Sequence, residues 1–375
     1  MVLVISPKIL TVATAQIQQG KKFTLEEVVE FTDLIAEKLN SAIDKVDDVN
    51  HKTHVLSVNA SIEAARAGTY GRPFGIVATN MSELSEETSK ITDNMRKDTK
   101  EIINVGNMIK TQSKEFRGNR LTDLALMNID LIDRNLYERT ADVRWWATDA
   151  SVIGALTQKS TEACDVASKR LGVILQAYTV YYDLVIADAN GNIIANGNPD
   201  KYPSRGINVS DSRWFVSAMN TKNSGQFGFE SVHRSGLVSG NLSLIYSAAV
   251  RENGDPRGQI IGVLGVVFKW ESLAQTVIAH TPISEDEKKN TRICIVDDAG
   301  LILADSDGKM LRESLDFDQK TSLLSEKKNH IFVEYCGLNC CIAHALSPGF
   351  EGYSTGWHSV IIQKLGTAKK AKLVK

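Results

Sequence analysis

The sequence predicts an α plus α/β protein: a long antiparallel coiled-coil hairpin, joined by a long helix to two successive subdomains built on antiparallel sheets. Three observations predict it. Over residues 25–115 apolar and small residues recur at alternating steps of three and four, with almost no strand signal. From residue 181 short β runs and turns replace that pattern. One strand–turn–strand pattern then occurs twice, at a fixed offset of 109 residues.

The helical series enters through Val28, Thr32, Ile35, Leu39, Ala42, Val46, Val49, Thr53, Leu56 and Ala60. It leaves through Val77, Met81, Leu84, Thr88, Ile91, Met95, Asp98, Ile102, Val105 and Ile109. This is the 3.5-residue repeat of a coiled-coil seam. The two halves are mirror images: Leu56 and Met81, Val46 and Ile91, and Val28 and Ile109 each total 137, which puts the tip at 68–69. The turn falls in AGTYG, where Gly68 and Gly71 are expected to take backbone angles that other residues avoid. Each arm of about 40 residues would span roughly 60 Å. Thr32, Thr53, Thr88 and Asp98 weaken the seam of an isolated pair, so a second hairpin alongside, a four-helix bundle as dimer, would bury it better. The plain alternative is a hairpin that only spaces or oligomerises.

Residues 55–78, VLSVNASIEAARAGTYGRPFGIVA, resemble the signalling tip of methyl-accepting chemotaxis proteins. The matching positions include Leu56, Asn59, Ala60, Ile62, Glu63, Arg66, Gly68, Gly71, Arg72, Phe74, Val77 and Ala78, and the resemblance extends over residues 25–112. It implies a non-catalytic tip that docks a chemotaxis histidine kinase and a coupling protein, on homodimers that meet as a trimer of dimers. Asn59, Glu63 and Arg66 would make polar contacts between dimers, and Ile62 and Phe74 would form docking surface. Thr69, Pro73, Thr79, Asn80 and His51 depart from the family pattern. Glu26, Glu27, Glu86 and Glu87 are available carboxylates, none of them assigned as a methylation site.

Residues 116–180 read as a connecting helix, with Leu124, Met127, Leu131, Leu136, Val143 and Trp146, followed by a second helix over 159–179. The repeated pattern is IADANGNIIA (186–195) and IVDDAGLILA (295–304), each a strand, an Asp/Asn-Gly turn and a strand. It divides the remainder into subdomains 181–282 and 283–365. The later strands are SLIYSAAVR and GQIIGVLGVVF in the first, and HIFVEYC, CCIAHAL and WHSVIIQKL in the second.

A long helix leading into two such units resembles the double Cache sensors, a PAS-like family, over residues 120–365. The resemblance implies a small-molecule ligand in the first subdomain. SDSRWF (210–215) resembles a ligand-contact segment there, and Val267 stands where amino-acid-binding members carry an Asp, which disfavours an ordinary amino acid. The candidate ligand residues are Arg213, Trp214, Phe215, Phe227, Phe229, His233 and Tyr246, with Arg234 nearby. They suit a planar ligand with an anionic or carbonyl edge, and several are equally suited to filling the core.

Cys336 and Cys340 flank a Gly-Leu-Asn turn, with Cys341 and His344 on the return strand. Buried packing, redox sensing and metal binding are the three readings, packing being the plainest. The 375 residues carry 43 basic and 45 acidic side chains, a net charge of −2, so the chain gives no nucleic-acid signal. No nucleophile triad, phosphate loop or spaced metal motif is present, and no enzyme, cofactor or metal is expected. The start, MVLVISPKIL in segment 1–24, is too short and interrupted to span a bilayer, and the tail 366–375 is a basic end. These features, with five cysteines in no secreted framework, point to the cytoplasm.

Overall fold

The computed structural model describes residues 25–365, which divide into two units between Arg117 and Gly118. The expectations for segments 1–24 and 366–375 lie outside the described residues.

In the first unit, helix α1 (Leu25–Arg66) turns through a 3-10 segment, Gly68–Gly71, into helix α2 (Arg72–Trp146). The hairpin is the one expected, but the residues that bring its arms together are mostly small ones, outside the apolar series read from the sequence. The positions occluded between the arms recur every seven residues: Val29, Ala36, Ile43, Asn50, Ser57 and Ala64 going in, then Gly71, Ala78, Ser85, Thr92, Thr99 and Gly106 coming out. Each antiparallel pair of these numbers totals 135. Direct contacts anchor that register. Asn50 Nδ2 donates to Ser85 O (2.9 Å), and Ser85 Oγ donates to Asn50 O (3.4 Å). Asp47 accepts from Thr92 and Arg96, which hold its carboxyl below the usual range. Small side chains let the helix backbones approach closely. The larger series of the sequence reading flanks this line, and in a single chain Ile35, Val49, Leu56, Leu84 and Ile91 are exposed.

The tip also differs in one detail. Only Gly68 takes a left-handed angle (φ +59°). Gly71 is required by space: a Cβ there would overlap the Ala64 carbonyl oxygen and lie 2.9 Å from its carbon.

In the second unit the C-terminal part of α2 buries Leu121, Ala125, Ile129, Ile132, Leu136 and Val143 on one face. Leu136, Val143 and Trp146 match the expected stripe, whereas Met127 and Leu131 are exposed, because the inner face runs one position away from them. Helix α3 (Ala150–Gln158) is capped by Asp149, whose side chain accepts from Ser151 N. Helix α4 (Thr161–Ala177) is capped by Ser160, which accepts from Ala163 N, and it buries Cys164, Leu171 and Ile174.

Two five-stranded antiparallel sheets follow. The first holds β1 (Tyr181–Asp188), β2 (Ile193–Asn196), β3 (Gly228–Ser235), β4 (Asn241–Arg251) and β5 (Ile260–Phe268), in the order β2-β1-β5-β4-β3. The second holds β6 (Thr291–Val296), β7 (Ile302–Asp305), β8 (Lys328–Tyr335), β9 (Leu338–Leu346) and β10 (His358–Lys364), in the equivalent order β7-β6-β10-β9-β8. The repeated pattern is a structural repeat. Ile186 pairs with Ala195 as Ile295 pairs with Ala304. Asp188 Oδ1 accepts from the backbone of Asn190 and Asn192, and Asp297 Oδ1 does the same from Ala299 and Leu301. Gly191 and Gly300 both sit at positive φ in these turns. Short helices α5 (Arg213–Met219), α6 (Trp270–Ala279), α7 (Glu285–Lys288) and α8 (Lys320–Ser325) cover the sheets. β3 and these four short helices go beyond the strands and helices read from the sequence.

The main core joins the inner face of α2 to one face of both sheets, through Leu184, Ile186, Leu264, Val266, Ile295, Ala343 and Ile361 among others. The opposite face of each sheet has its own smaller cluster. No helix among the described residues is long and apolar enough to cross a membrane.

Candidate functional site

At the hairpin tip, Asn59, Ile62, Glu63, Arg66 and Phe74 are all exposed, Phe74 at 71%. Arg66 Nη1 lies 2.7 Å from Glu63 Oε1. With both side chains about 70% exposed, this ion pair adds little to stability. Ala64, Ala65, Gly68, Gly71 and Gly75 floor a shallow groove beside it. Small residues, two exposed charges and an exposed aromatic ring suit a contact surface rather than a reaction centre.

The seven candidate ligand residues lie on two faces of the first sheet. Trp214 and Phe215 are buried on one face with Val185, Ile245, Val263 and Val267. Ser247 Oγ donates to Trp214 O (2.7 Å), and Trp214 N donates to Glu230 Oε2 (3.4 Å). Arg213 is exposed at the start of α5. His233 is a half-buried residue of β3, its Nδ1 2.9 Å from Ser231 O, so it is a strand histidine rather than a loop one. Near this cluster, burial pushes the Asp183 carboxyl up to about 6, although Asn196 Nδ2 and the backbone N–H groups of Leu184, Gly197 and Asn198 donate to it.

Phe227, Phe229 and Tyr246 belong to the opposite face, because successive strand residues point to opposite sides. There they join an aromatic bridge to the second subdomain. The Phe229 ring lies 5.0 Å from Tyr246 and 6.5 Å from Trp357, and Trp357 lies 5.2 Å from Trp270. The Tyr246 and Tyr353 hydroxyls hydrogen-bond, and burial raises the pKa of both, keeping them protonated. Beside this bridge a cleft of about 430 Å³ is lined by Tyr137, Thr140 and Arg144 of α2, by Gly225, Phe227 and Phe229, and by Glu351–Thr355 of the loop between β9 and β10.

That loop packs on α2 through Phe350, against Tyr137 and Arg134, and is hydrogen-bonded to it by one carboxylate. Asp133, fully buried on the inner face, accepts at Oδ2 from Ser347 Oγ (2.5 Å) and Gly349 N (2.9 Å). At Oδ1 it accepts from Thr355 Oγ1 (2.9 Å) and Thr355 N (3.3 Å). Further polar ties run along the same helix. Thr281 Oγ1 donates to Asn128, and Tyr181 OH donates to Asp142. Arg120 pairs with Glu287, whose carboxyl it holds down to about 2. Both subdomains therefore grip α2 by hydrogen bonds as well as by packing.

The sequence reading did not single out Asp133, Tyr137, Arg144 or Tyr353. A carboxylate between Ile132 and Leu136 on an apolar helical stripe was the available signal, since a charge is rarely buried unless partnered. The aromatic residues within the turn-rich SPGFEGYSTGW are a second such signal.

In the second subdomain, Cys336 and Gly337 form the turn between β8 and β9, both at positive φ, so the turn takes only the glycine of the Gly-Leu-Asn stretch, and Leu338 and Asn339 belong to the strand. Cys336 is exposed, while Cys340 and Cys341 are buried. Among the described residues no group of three metal-ligating side chains occurs. His344 and His358 face each other, Nδ1 to Nδ1, at 3.2 Å. Burial, then the neighbouring His358, pushes His344 down to about 4.

The family model for the methyl-accepting chemotaxis protein signalling domain matches residues 8–145, and that for a Cache domain matches residues 77–368. Among curated proteins, the biofilm dispersion protein BdlA of Pseudomonas aeruginosa is 35% identical over 79 residues, 21% of this chain and 17% of that protein. The methyl-accepting chemotaxis protein McpQ of Pseudomonas putida is 34% identical over 83 residues, 22% of this chain and 13% of its own length. The chain thus covers under a fifth of either relative. Among solved structures, the sensory domain of the Campylobacter jejuni chemoreceptor Tlp3 aligns over 68% of this chain and 96% of its own, with a TM-score of 0.52 at 17% identity. At that identity the likeness concerns the fold: helices and two PAS-like antiparallel sheets.

Proposed function

Since the chain belongs to the Cache domain family and also carries a chemoreceptor-type signalling domain, we propose that it is a chemotaxis-type signal transducer of the cytoplasm, without catalytic activity of its own. A small molecule bound by the sensor unit changes how α2 is held, and the hairpin tip controls a chemotaxis histidine kinase through a coupling protein. The observation that carries this reading is α2 itself. It is one helix from Arg72 to Trp146, forming an arm of the hairpin at one end and bearing Asn128, Asp133, Asp142 and Arg144, which both subdomains grip, at the other. A sensor that follows the hairpin in the chain needs no membrane piston. Ligand energy has only to favour one of two packings of this helix.

The exposed series Ile35, Val49, Leu56, Leu84 and Ile91 supports a homodimer, in which a second hairpin covers it as a four-helix bundle. The exposed tip residues support docking and contacts between dimers, as trimers. Val267, buried beside Ile245 and Trp214 in place of a carboxylate, supports a ligand other than an ordinary amino acid. Cys164, Cys294, Cys336 and Cys340, none of them in a disulfide, suit a reducing compartment.

Co-precipitation tests the docking. The full chain is expected to retain a chemotaxis kinase together with its coupling protein, and Glu63→Ala, Arg66→Ala and Phe74→Ala are each expected to reduce capture at least fivefold without changing helix content. Equal capture by all three variants, or none by the parent chain, would leave the hairpin as an oligomerising element only.

A further inference from the structure

The cleft between α2, β3 and the loop after β9 lies on the opposite face of the first sheet from Trp214 and Phe215, and it is built like a binding site. We infer that it takes a planar aromatic monocarboxylate, held at the carboxylate by Arg144 and walled at the ring by Tyr137, Phe227 and Tyr353. The inference rests on the ligand-sensing reading and gives it a place and a ligand class.

A volume of about 430 Å³ suits one small organic molecule. Arg144 is the only cation lining it among the described residues. Its Nε donates to Thr140 O (2.8 Å), which fixes the guanidinium plane. Nη1 donates to Gly225 O (3.2 Å) and Nη2 reaches Thr140 Oγ1 (3.5 Å). Each terminal nitrogen carries two N–H groups, so one remains on each, the number that a bidentate carboxylate accepts. The four aromatic side chains that line it, Phe229 included, offer edges and faces that favour a flat ring over an aliphatic one. Glu351, exposed at the rim, disfavours a second negative charge on the ligand.

Such a ligand would touch α2 and the loop that Asp133 ties to α2. Occupancy would then strengthen the grip of the second subdomain on the helix.

Calorimetric titration of the full chain with benzoate, phenylacetate and indole-3-carboxylate tests this. At least one is expected to bind saturably. Its neutral amide, and cyclohexanecarboxylate, should bind at least tenfold more weakly. Arg144→Gln should weaken binding tenfold or more, Arg144→Lys less, and Phe227→Leu several-fold, with melting of the free variants close to that of the parent. Glu230→Gln, on the Trp214 face, should leave affinity unchanged. Failure of all three carboxylates overturns the inference. So does binding that Arg144→Gln and Phe227→Leu spare and Glu230→Gln abolishes, which would move the ligand to the Trp214 face and leave ligand sensing standing. Ligand sensing itself falls only if a wide metabolite panel also leaves the melting temperature unchanged.

Discussion

Replacing Asp133 by Ala is expected to destabilise the sensor unit by about 3–5 kcal/mol, the scale for removing one partner of a buried charged network. The carboxylate is fully buried and accepts from Ser347 Oγ, Gly349 N, Thr355 N and Thr355 Oγ1. Truncation leaves these donors facing an apolar helix, and each unsatisfied buried group costs about 1–3 kcal/mol unless water reaches it. Asp133→Asn keeps the shape but turns an NH2 toward groups that also donate, so roughly half the loss is expected. Asp130→Ala, one turn away, removes only a surface pair with Arg134 and should cost under about 0.5 kcal/mol. Urea unfolding followed by tryptophan fluorescence reads all three, since Trp357 ends the tied loop. Equal stability of Asp133→Ala and Asp130→Ala would show that the loop holds without the clasp.

The second large effect is expected at the tip, where two glycines should behave oppositely to what their backbone angles suggest. Gly68 has the left-handed φ of +59°, but nothing lies within 4 Å of a Cβ added there. Gly68→Ala should therefore cost only about 1 kcal/mol, the strain of the angle. Gly71 has no such angle, yet its Cβ would overlap the Ala64 carbonyl oxygen, and that neighbour is backbone. Gly71→Ala must push the arms apart at their first shared layer, and about 3 kcal/mol or more of local stability should be lost. Hydrogen exchange over residues 55–85 reads the difference. Protection there should fall by two decades or more in Gly71→Ala and about one in Gly68→Ala.

These two sites show what the sequence could and could not reveal. The hairpin was legible because heptad spacing and mirror symmetry are properties of residue number alone. Its contact line was not, because apolarity ranks Leu56 and Leu84 above Ser57 and Ser85, while closeness of two helix backbones favours the smaller pair. The two sheets were legible through the repeated Asp/Asn-Gly hairpin. The strand β3, GFESVHRS, was missed because its polar and charged residues dilute the alternation. Placing Trp214 and Tyr246 in one site followed from their chemistry. Their separation follows from strand parity and from α5 packing on one face, which is tertiary information. Asp133 was visible as a charge on an apolar stripe, but its partners lie more than 200 residues away.

In the proposed signalling, the sensor unit governs a kinase through α2 and the tip. Phosphotransfer in a reconstituted mixture of this chain, a coupling protein and a chemotaxis kinase measures it most directly. Kinase activity is expected to change at least threefold when a binding ligand saturates the sensor, and the change is expected to disappear in Glu63→Ala or Phe74→Ala while ligand affinity stays the same. Kinase activity that is indifferent to the chain, or that is altered by it equally with and without saturating ligand, would show that the sensor unit does not act on the kinase.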